Sequence, residues 1–361
     1  MKKLFILTIL CSLLGGCGGE KTASVADSPA RVVGRVATHD DGSVSFDWSG
    51  VYVDIRFSGS YLAIELSDTK RNYLNFWVDG EEQPKLTSEG EHTTLVLFND
   101  PEAKGEHLIR IQKATEAEQG RITLHTITTD GRLLSTEDLK LARHIEFYGD
   151  SLTCGYGTES NSGSDPFLPE TENCRYTYAA LTAECFGADY SLISHSGRGL
   201  VRNYGDSLQI SDPALTMSAR AFRVYDEDLT LDWDFEKSPY RPDAIVITLG
   251  TNDFSTMPRP TEEQYVEGYR ALIERLRAAW ANEQLPVLCV VHSPHAVECV
   301  KEMVATIPNT AMADISCDVY NDTTDLGASE HPNRYGQEKM AKIVIEKFAE
   351  LTGWERFIEE Y

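Results

Sequence analysis

Residues 145–157 read Ile-Glu-Phe-Tyr-Gly-Asp-Ser-Leu-Thr-Cys-Gly-Tyr-Gly, and they predict a buried strand that ends in a tight turn. The apolar run at the start is typical of a parallel strand covered on both faces. The glycines leave room for a turn that presents the hydroxyl of Ser151. Because ligands bind at the carboxyl ends of strands in α/β sheets, Ser151 is a candidate functional residue. A serine that only caps the loop is the alternative interpretation.

The chain after about residue 141 repeats this alternation of strands and helices. Two more short apolar runs, 244–249 and 287–291, are typical of buried parallel strands. Helical periodicity covers residues 176–186, 262–280, 297–307 and 337–351. Strands alternating with helices predict βαβ units, and therefore a three-layer α/β domain over residues 141–361.

The residues before this domain follow a different period. From residue 31 to about 130, apolar and polar residues alternate in short segments separated by turn residues such as Asp40-Asp41-Gly42. These segments are 43–48, 51–57, 61–66, 73–78, 93–98, 107–112 and 121–128. The pattern predicts a β-sandwich of the jelly-roll kind over residues 31–135.

Three further blocks hold polar or glycine residues at predicted strand ends or before the last helix. They are Ser196-Gly197-Arg198-Gly199, Gly250-Thr251-Asn252-Asp253 and His331-Pro332-Asn333. A serine nucleophile needs a neighbouring base, and a histidine titrates close to neutral pH. An asparagine amide and a glycine N–H can donate to a developing oxyanion. A structural histidine, and an Asp253 that caps the following turn, are the alternatives.

These blocks, in this order, resemble the motif set of the SGNH (GDSL) hydrolases, matched by Ser151, Gly197, Asn252 and His331. Residues 145–157, the strand and turn Phe76-Trp77-Val78-Asp79-Gly80, and residues 250–253 are similar more narrowly to carbohydrate esterase family 2. The resemblance extends over about residues 31–355 and implies a flavodoxin-like SGNH domain with the jelly roll packed against it. It implies a serine esterase that removes O-acetyl groups from plant-wall polysaccharides or oligosaccharides such as xylan and glucomannan, without a cofactor.

The resemblance assigns roles to individual residues. It implies that Ser151 attacks the acetyl carbonyl, that His331 carries the proton, and that Ser151 N–H, Gly197 N–H and the Asn252 side chain bind the oxyanion. The chain departs from the wider pattern, in which an aspartate stands two or three residues before the histidine.

Those two positions hold Ala328 and Ser329. We expect a main-chain carbonyl near Ser329 to orient His331. Asp325 and Glu330 are the alternative partners.

Several other side chains are candidates for binding sugar or metal. Tyr204, Trp233 and Tyr240 lie in loops after these blocks, where aromatic rings either stack on sugars or simply pack. His292 and His295 have no carboxylate neighbours in sequence, and we therefore predict no metal site.

The N-terminus has the features of an export signal. Lys2 and Lys3 precede an apolar stretch that closes with Leu14-Gly15-Gly16-Cys17, which resembles a bacterial lipoprotein signal. This predicts a signal and tether over residues 1–20, lipidation of Cys17, and an exported bacterial lipoprotein at the outer membrane or cell surface, with the periplasmic side also open. An ordinary secretory signal is the alternative.

Composition limits the partners. The formal net charge is −24, from 57 acidic and 33 basic residues, which disfavours nucleic acid and anionic membrane surfaces and suits a neutral glycan. Membrane attachment is therefore expected through the lipid anchor only. Six cysteines follow Cys17 without CxxC spacing, so we expect buried thiols with one possible disulfide rather than a zinc site.

Two other functions remain open from the sequence. The same machinery could act on another O-acetylated glycan, such as one bearing sialic acid, since one fold hosts many esterases. The chain could also be a non-catalytic glycan-binding surface lipoprotein with a vestigial hydrolase domain.

Overall fold

The computed structural model describes residues 19–103, 105–317, 319–320 and 323–358. The predicted lipoprotein signal with Cys17 lies outside these residues. Within them, no helix combines the length and the apolar character that a membrane crossing requires.

The N-terminal half is a ten-stranded antiparallel sheet in the described part of the chain. Its strands are β1 Lys21–Ser24, β2 Arg31–Val33, β3 Ala37–Thr38, β4 Val44–Phe46, β5 Tyr52–Ser58, β6 Tyr61–Val78, β7 Glu81–Asn99, β8 Glu106–Lys113, β9 Ile122–Thr129 and β10 Arg132–Leu134. They pair in the order β10-β5-β8-β6-β9-β4-β3, with β1 on β9, β2 on β5 and β7 on β6. Alternate side chains of β5, β8 and β9 enter one core. The predicted all-β N-terminal domain is confirmed.

Strand β6 differs from the sequence prediction. The polar stretch between residues 66 and 73 was expected to separate two short strands, but β6 runs unbroken for 18 residues. The pairing with β7 shifts register on both sides of Asp68, as a β-bulge does. The Asp68 carboxylate accepts hydrogen bonds from the Asn72 amide (2.9 Å) and the Ser88 hydroxyl (2.8 Å). In the sequence, polar residues at a β-bulge therefore cannot be told from the polar residues of a turn.

The described residues of the C-terminal half form a five-stranded parallel sheet in the order β12-β11-β13-β14-β15, covered by helices. These strands are β11 His144–Gly149, β12 Asp189–Ser194, β13 Ala244–Thr248, β14 Val287–Val291 and β15 Thr310–Asp314. The helices are α1 Ser151–Cys154, α2 Tyr178–Cys185, α3 Met217–Arg220, α4 Thr251–Ser255, α5 Glu262–Ala279, α6 Val297–Val304 and α7 Arg334–Thr352. Helices α5 and α6 share one core with one sheet face, while α2 and α7 share another core with the opposite face. The predicted three-layer α/β domain is confirmed.

Three neighbouring strands of this sheet, β12, β11 and β13, end side by side. Gly149, the last residue of β11, pairs with Ser194 at the end of β12 and with Thr248 at the end of β13. Because these strands are parallel, the segments that follow them emerge at one edge of the sheet. This register brings the Ser151, Gly197 and Asn252 blocks together.

The two halves share polar contacts as well as apolar packing. Arg31 on β2 donates to Asp54 of its own half (3.0 Å) and to Asp189 of the other (2.8 Å), and all three side chains are buried. The amides of Asn75 and Asn173 exchange hydrogen bonds across the same junction (2.8 and 2.9 Å). One apolar cluster runs from the antiparallel sheet to helix α5. The halves are therefore packed as one body.

The cysteines form no disulfide among the described residues, and the one bridge allowed by the sequence is absent. Cys154, Cys174, Cys185, Cys289, Cys299 and Cys317 all carry free thiols.

Candidate active site

Ser151 and His331 meet although 180 positions separate them in the sequence. Ser151 is the first residue of α1, and its Oγ lies 2.9 Å from Nε2 of His331. Asp150 accepts the Leu152 N–H (3.1 Å) and so caps this one-turn helix. Gly155 ends it with φ of +85°, a conformation that favours glycine.

The main-chain carbonyl of Ser329 lies 3.1 Å from Nδ1 of His331. Ser329 (φ +53°) and Glu330 (φ +61°) are both left-handed, and their N–H groups donate to Asp165 O and Gly163 O (3.0 Å each). The Asp325 carboxylate pairs with Lys339 instead, and the Glu330 side chain is exposed. A carbonyl therefore stands where the wider pattern has an aspartate. It fixes the tautomer with hydrogen on Nδ1, which leaves Nε2 free to accept from Ser151.

One aromatic ring lies against the imidazole, and a second ring stacks on the first. The Tyr156 ring centre lies 4.4 Å from that of His331 and 4.0 Å from that of Phe167. Burial lowers the pKa of His331 below its ordinary value of 6.5, although its contact with the Ser329 backbone acts in the opposite direction. The neutral form that accepts a proton is therefore favoured.

The main-chain donors expected at the oxyanion, Ser151 N–H and Gly197 N–H, follow the paired ends of β11 and β12. Gly197 has φ of +75°, and among the described residues no acceptor takes its N–H or that of Ser151. The Asn252 amide donates to Arg198 O (2.9 Å) and to Asp150 Oδ2 (3.2 Å). Both amide hydrogens are therefore engaged in the resting site, and the longer bond to Asp150 is the weaker of the two.

Asp150 lies at the centre of a buried polar group next to Ser151. Burial raises its pKa to about 7, and a hydrogen bond from Thr251 opposes that rise. Thr251 Oγ1 also lies 3.2 Å from Nδ1 of His292, whose Nε2 contacts the Tyr320 hydroxyl. His295 instead contacts Arg259 (2.9 Å). The two histidines therefore have separate partners and do not converge on a metal.

Asp253 has a different structural role from the one expected. Its carboxylate accepts the N–H groups of Leu200 (2.9 Å), Val201 (2.8 Å) and Arg202 (2.9 Å), rather than capping the turn that follows it. Asp253 thus ties helix α4, which carries Asn252, to the loop after Gly197.

Two acidic residues of the N-terminal half reach this region, and no motif in the sequence identified them. Glu116 accepts the Ser196 N–H (2.7 Å), and Glu118 contacts Nε2 of His195 (3.3 Å). Both belong to a loop without any recognised motif, so only the packing of the halves reveals them. Burial lowers the pKa of His195, but the Asp226 carboxylate outweighs it and the pKa rises to about 10.

The three aromatic candidates occupy different places. Tyr204 is 64% exposed and its N–H donates to Gly197 O (2.8 Å), so it lies beside the glycine expected at the oxyanion. The Tyr240 ring stacks on His144 (5.4 Å between centres), which begins β11, and the ends of a six-residue strand are roughly 17 Å apart at about 3.3 Å per residue. The Trp233 ring packs against Arg35, with 5.8 Å to the guanidinium carbon.

These positions correct the expectation for two of the three. Trp233 lies at the junction between the halves because Arg35 donates to Tyr148 Oη (2.9 Å) inside the sheet. Tyr240 lies at the opposite end of that sheet. Their loops follow the motif blocks in sequence but return to other parts of the fold.

In the part of the chain that the structure describes, two groups of side chains have the spacing of metal ligands, Glu116–Cys154–Glu172 and His195–Asp226–Glu227. In the second group Nη1 of Arg220 already lies 2.7 Å from Asp226 and 3.1 Å from Glu227. A guanidinium therefore occupies the position that a cation would take. In the first group the Glu116 carboxylate is already bound to the Ser196 N–H.

Comparison with known proteins matches both halves. Residues 32–136 match the carbohydrate esterase 2 N-terminal domain, and residues 147–339 match the GDSL-like lipase/acylhydrolase family. The cellulase/esterase CelE of Acetivibrio thermocellus is 28% identical over 331 residues, which cover 89% of this chain and 39% of that relative. An acetylxylan esterase/glucomannan deacetylase of Cellvibrio japonicus is 28% identical over 286 residues, covering 76% of this chain and 78% of the relative.

A solved structure has the same two-part architecture. It is a family two carbohydrate esterase from Clostridium thermocellum in complex with cellohexaose, with a TM-score of 0.81 and 28% identity. The match covers 90% of this chain and 100% of that one.

Proposed function

Because this chain belongs to the GDSL-like lipase/acylhydrolase family and carries the N-terminal domain of carbohydrate esterase family 2, we propose that it removes O-acetyl groups from plant-wall polysaccharides or their oligosaccharides. The observation that carries the proposal is the 2.9 Å contact between Ser151 Oγ and His331 Nε2. A serine hydroxyl needs such a base to become a nucleophile.

The proposed reaction has two halves joined by an acetyl-enzyme. Ser151 Oγ attacks the acetyl carbonyl while its proton passes to Nε2 of His331, and the imidazolium then gives that proton to the departing sugar hydroxyl. Water repeats the sequence on the acetyl-serine and releases acetate. The Ser329 carbonyl accepts the Nδ1 hydrogen throughout, which keeps the ring oriented as its charge changes.

The oxyanion of each tetrahedral intermediate has three proposed donors. Ser151 N–H and Gly197 N–H have no other acceptor among the described residues, and the Asn252 amide can exchange its 3.2 Å bond to Asp150 for one to the oxyanion. We expect Asn252→Ala to lower kcat by about 10²–10³-fold, the usual effect of losing one such donor. Steady-state hydrolysis of 4-nitrophenyl acetate measures this loss. A loss of kcat under about three-fold would show that Asn252 does not bind the oxyanion.

Substrate class rests on the relatives and on one exposed ring. Two relatives are named acetylxylan esterase/glucomannan deacetylase, and one solved relative holds cellohexaose. Tyr204, beside Gly197, offers an exposed ring on which a sugar can stack. The net charge of −24 suits a neutral glycan better than a polyanion.

The decisive experiment measures acetate release from acetylated xylan, acetylated glucomannan, and O-acetylated sialic acid. We expect turnover of the plant polymers by the wild type and none above background by Ser151→Ala. Ser135→Ala, at an exposed serine directly after β10, is the matched control and should act like the wild type. Faster turnover of the sialic-acid ester than of the plant polymers would identify a sialic-acid-bearing glycan as the substrate. Binding to these polymers without acetate release would assign a glycan-binding lipoprotein.

We further propose that the protein is an exported bacterial lipoprotein held at a membrane through Cys17, at the outer membrane or cell surface. Leu14-Gly15-Gly16-Cys17 supports this because that spacing is typical of lipoprotein signals. Radiolabelled palmitate should enter the wild type and not Cys17→Ala, with Cys317→Ala as the cysteine control. Equal labelling of wild type and Cys17→Ala would reject the anchor.

A further inference from the structure

One loop of the N-terminal half extends into the catalytic half. Residues 114–121 join β8 to β9, and we call them the Glu116 loop. Ala114 O accepts the Cys174 N–H (3.0 Å), which fastens the loop to the catalytic half at its start. Lys113, directly before the loop, is buried and donates from Nζ to Thr115 O (2.7 Å) and Glu116 O (2.8 Å). The loop is therefore held in shape from both halves.

The Glu116 carboxylate touches both elements that build the proposed site. Glu116 is 1% exposed, and its Oε2 accepts the Ser196 N–H at 2.7 Å. The same oxygen lies 3.5 Å from Sγ of Cys154, the last residue of the helix that Ser151 begins. Ser196 immediately precedes Gly197. One carboxylate therefore fixes the position of the glycine loop relative to the helix of the serine.

We propose that Glu116 is a positioning residue for deacetylation, which aligns the Gly197 N–H with the Ser151 N–H from the neighbouring half of the molecule. The inference rests on the proposed esterase function and extends it to the N-terminal half. Glu116 does not touch the substrate. It acts through Ser196, because a hydrogen bond to an ionised acceptor is shorter and stronger than one to a neutral acceptor.

The neighbouring carboxyl group has a different state. Glu172 accepts the Glu116 N–H through Oε2 (3.1 Å). Burial, and then the charge of Glu116, raise the pKa of Glu172 well above its usual range. The raised pKa favours the uncharged acid, so a glutamine keeps both the absence of charge and an acceptor for the Glu116 N–H. Glu172→Gln is thus a matched control for Glu116→Gln, one amide substitution at each of two adjacent buried glutamates.

The charge on Glu116 should also affect the pH dependence of kcat/KM, which a purely structural role of this side chain would not change. Among the described residues, Glu116 acts on His331 through its charge, the Tyr156 ring after α1 lies against the imidazole, and His292 after β14 is coupled to it by charge repulsion. The groups that face Glu116 are Lys113, Cys154, Glu172 and, through Glu118, His195. The Glu116 charge raises the pKa of His331, so its removal lowers that pKa. The acid limb of kcat/KM should then move to lower pH.

The test compares Glu116→Gln, Glu116→Asp and Glu172→Gln for 4-nitrophenyl acetate hydrolysis, with pH profiles and melting temperatures. We expect Glu116→Gln to lower kcat at least ten-fold, with KM within about two-fold, and to shift the acid limb downward. Glu116→Asp keeps the charge but withdraws the carboxylate by one methylene, so it should lose kcat without the shift. Glu172→Gln should stay within about two-fold of the wild type.

Two results would overturn the inference while the wild type remains active. One is wild-type kcat in both Glu116 variants. The other is an equal loss in Glu116→Gln and Glu172→Gln with no movement of the acid limb, which would reduce Glu116 to a packing role. If Glu116→Gln does not fold, Glu116→Asp carries the kcat test alone. An inactive wild type would instead reject the esterase proposal itself.

Discussion

At the scale of single residues, the unusual feature is a histidine oriented by a peptide group. The Ser329 carbonyl can serve this role because Ser329 and Glu330 both adopt left-handed φ angles, which turn that carbonyl toward Nδ1. Such conformations cost energy in residues other than glycine and persist where the surroundings impose them. Here the imposing contacts come from Gly163 O and Asp165 O.

Because the backbone orients His331, we predict that catalysis depends more on the backbone conformation of residue 330 than on the charge of its side chain. Glu330→Gln should keep kcat within about two-fold of the wild type, because the carboxylate does not contact the imidazole. Glu330→Val should lower kcat at least ten-fold, because a β-branched side chain disfavours φ of +61°. Initial rates on 4-nitrophenyl acetate compare the two. A large loss in Glu330→Gln would make that carboxylate the partner of His331.

The pH profile should follow the burial of His331. Its imidazole must be neutral to accept the Ser151 proton, so activity rises with pH through the His331 pKa. Burial lowers that pKa below 6.5, and the acid limb of kcat/KM should therefore fall below pH 6.5. A rate profile between pH 4 and 8 checks this. An acid limb above 6.5 would contradict the buried setting.

At the scale of elements, the site depends on how one loop is fastened to one helix. Asp253 on α4 binds three consecutive N–H groups of the loop that follows Gly197. The loop and the Asn252 amide therefore move together.

Replacing this carboxylate should damage both catalysis and folding. Asp253→Asn places an amide NH2 against main-chain donors, and we expect at least a ten-fold loss of kcat and a lower melting temperature. Asp212→Asn is the control, because Asp212 accepts one exposed N–H from Ala214 (3.0 Å). Activity and thermal denaturation of both variants test the difference. Equal behaviour of the two would mean that the loop holds its shape without Asp253.

Some secondary-structure elements could be predicted from the sequence more completely than others. The parallel strands were predictable because burial on both faces leaves continuous apolar runs, such as Ala244 to Ile247. Strand β6 was predicted as two pieces because a bulge and a turn use the same polar residues. The meeting of Ser151 with His331 followed from a recognised motif order, whereas Glu116 belongs to no pattern and depends on packing between halves.

At the scale of the whole molecule, the two halves share a core and a buried ion-pair cluster. Arg31 lies between Asp54 of one half and Asp189 of the other. Without Arg31, Asp54 keeps its pair with Arg110 (2.6 Å), but the buried Asp189 loses its ion-pair partner. Leaving a buried charge uncompensated costs about 3–5 kcal/mol.

Arg31→Met should therefore lower the melting temperature strongly while unfolding remains a single calorimetric transition. Arg56→Met is the control, since its pair with Asp138 (2.7 Å) is exposed and such pairs contribute about 0–1 kcal/mol. Two separate transitions in the wild type would contradict a shared core.

The peptide carbonyl that steers His331 has a consequence for how the enzyme tolerates genetic change. An aspartate in that position can be lost through one codon, whereas no substitution at Ser329 deletes its oxygen. The orientation of His331 therefore depends less on the identity of one side chain than on the length of the segment around residues 326–331. Natural variants that abolish activity here should therefore be enriched in small insertions and deletions.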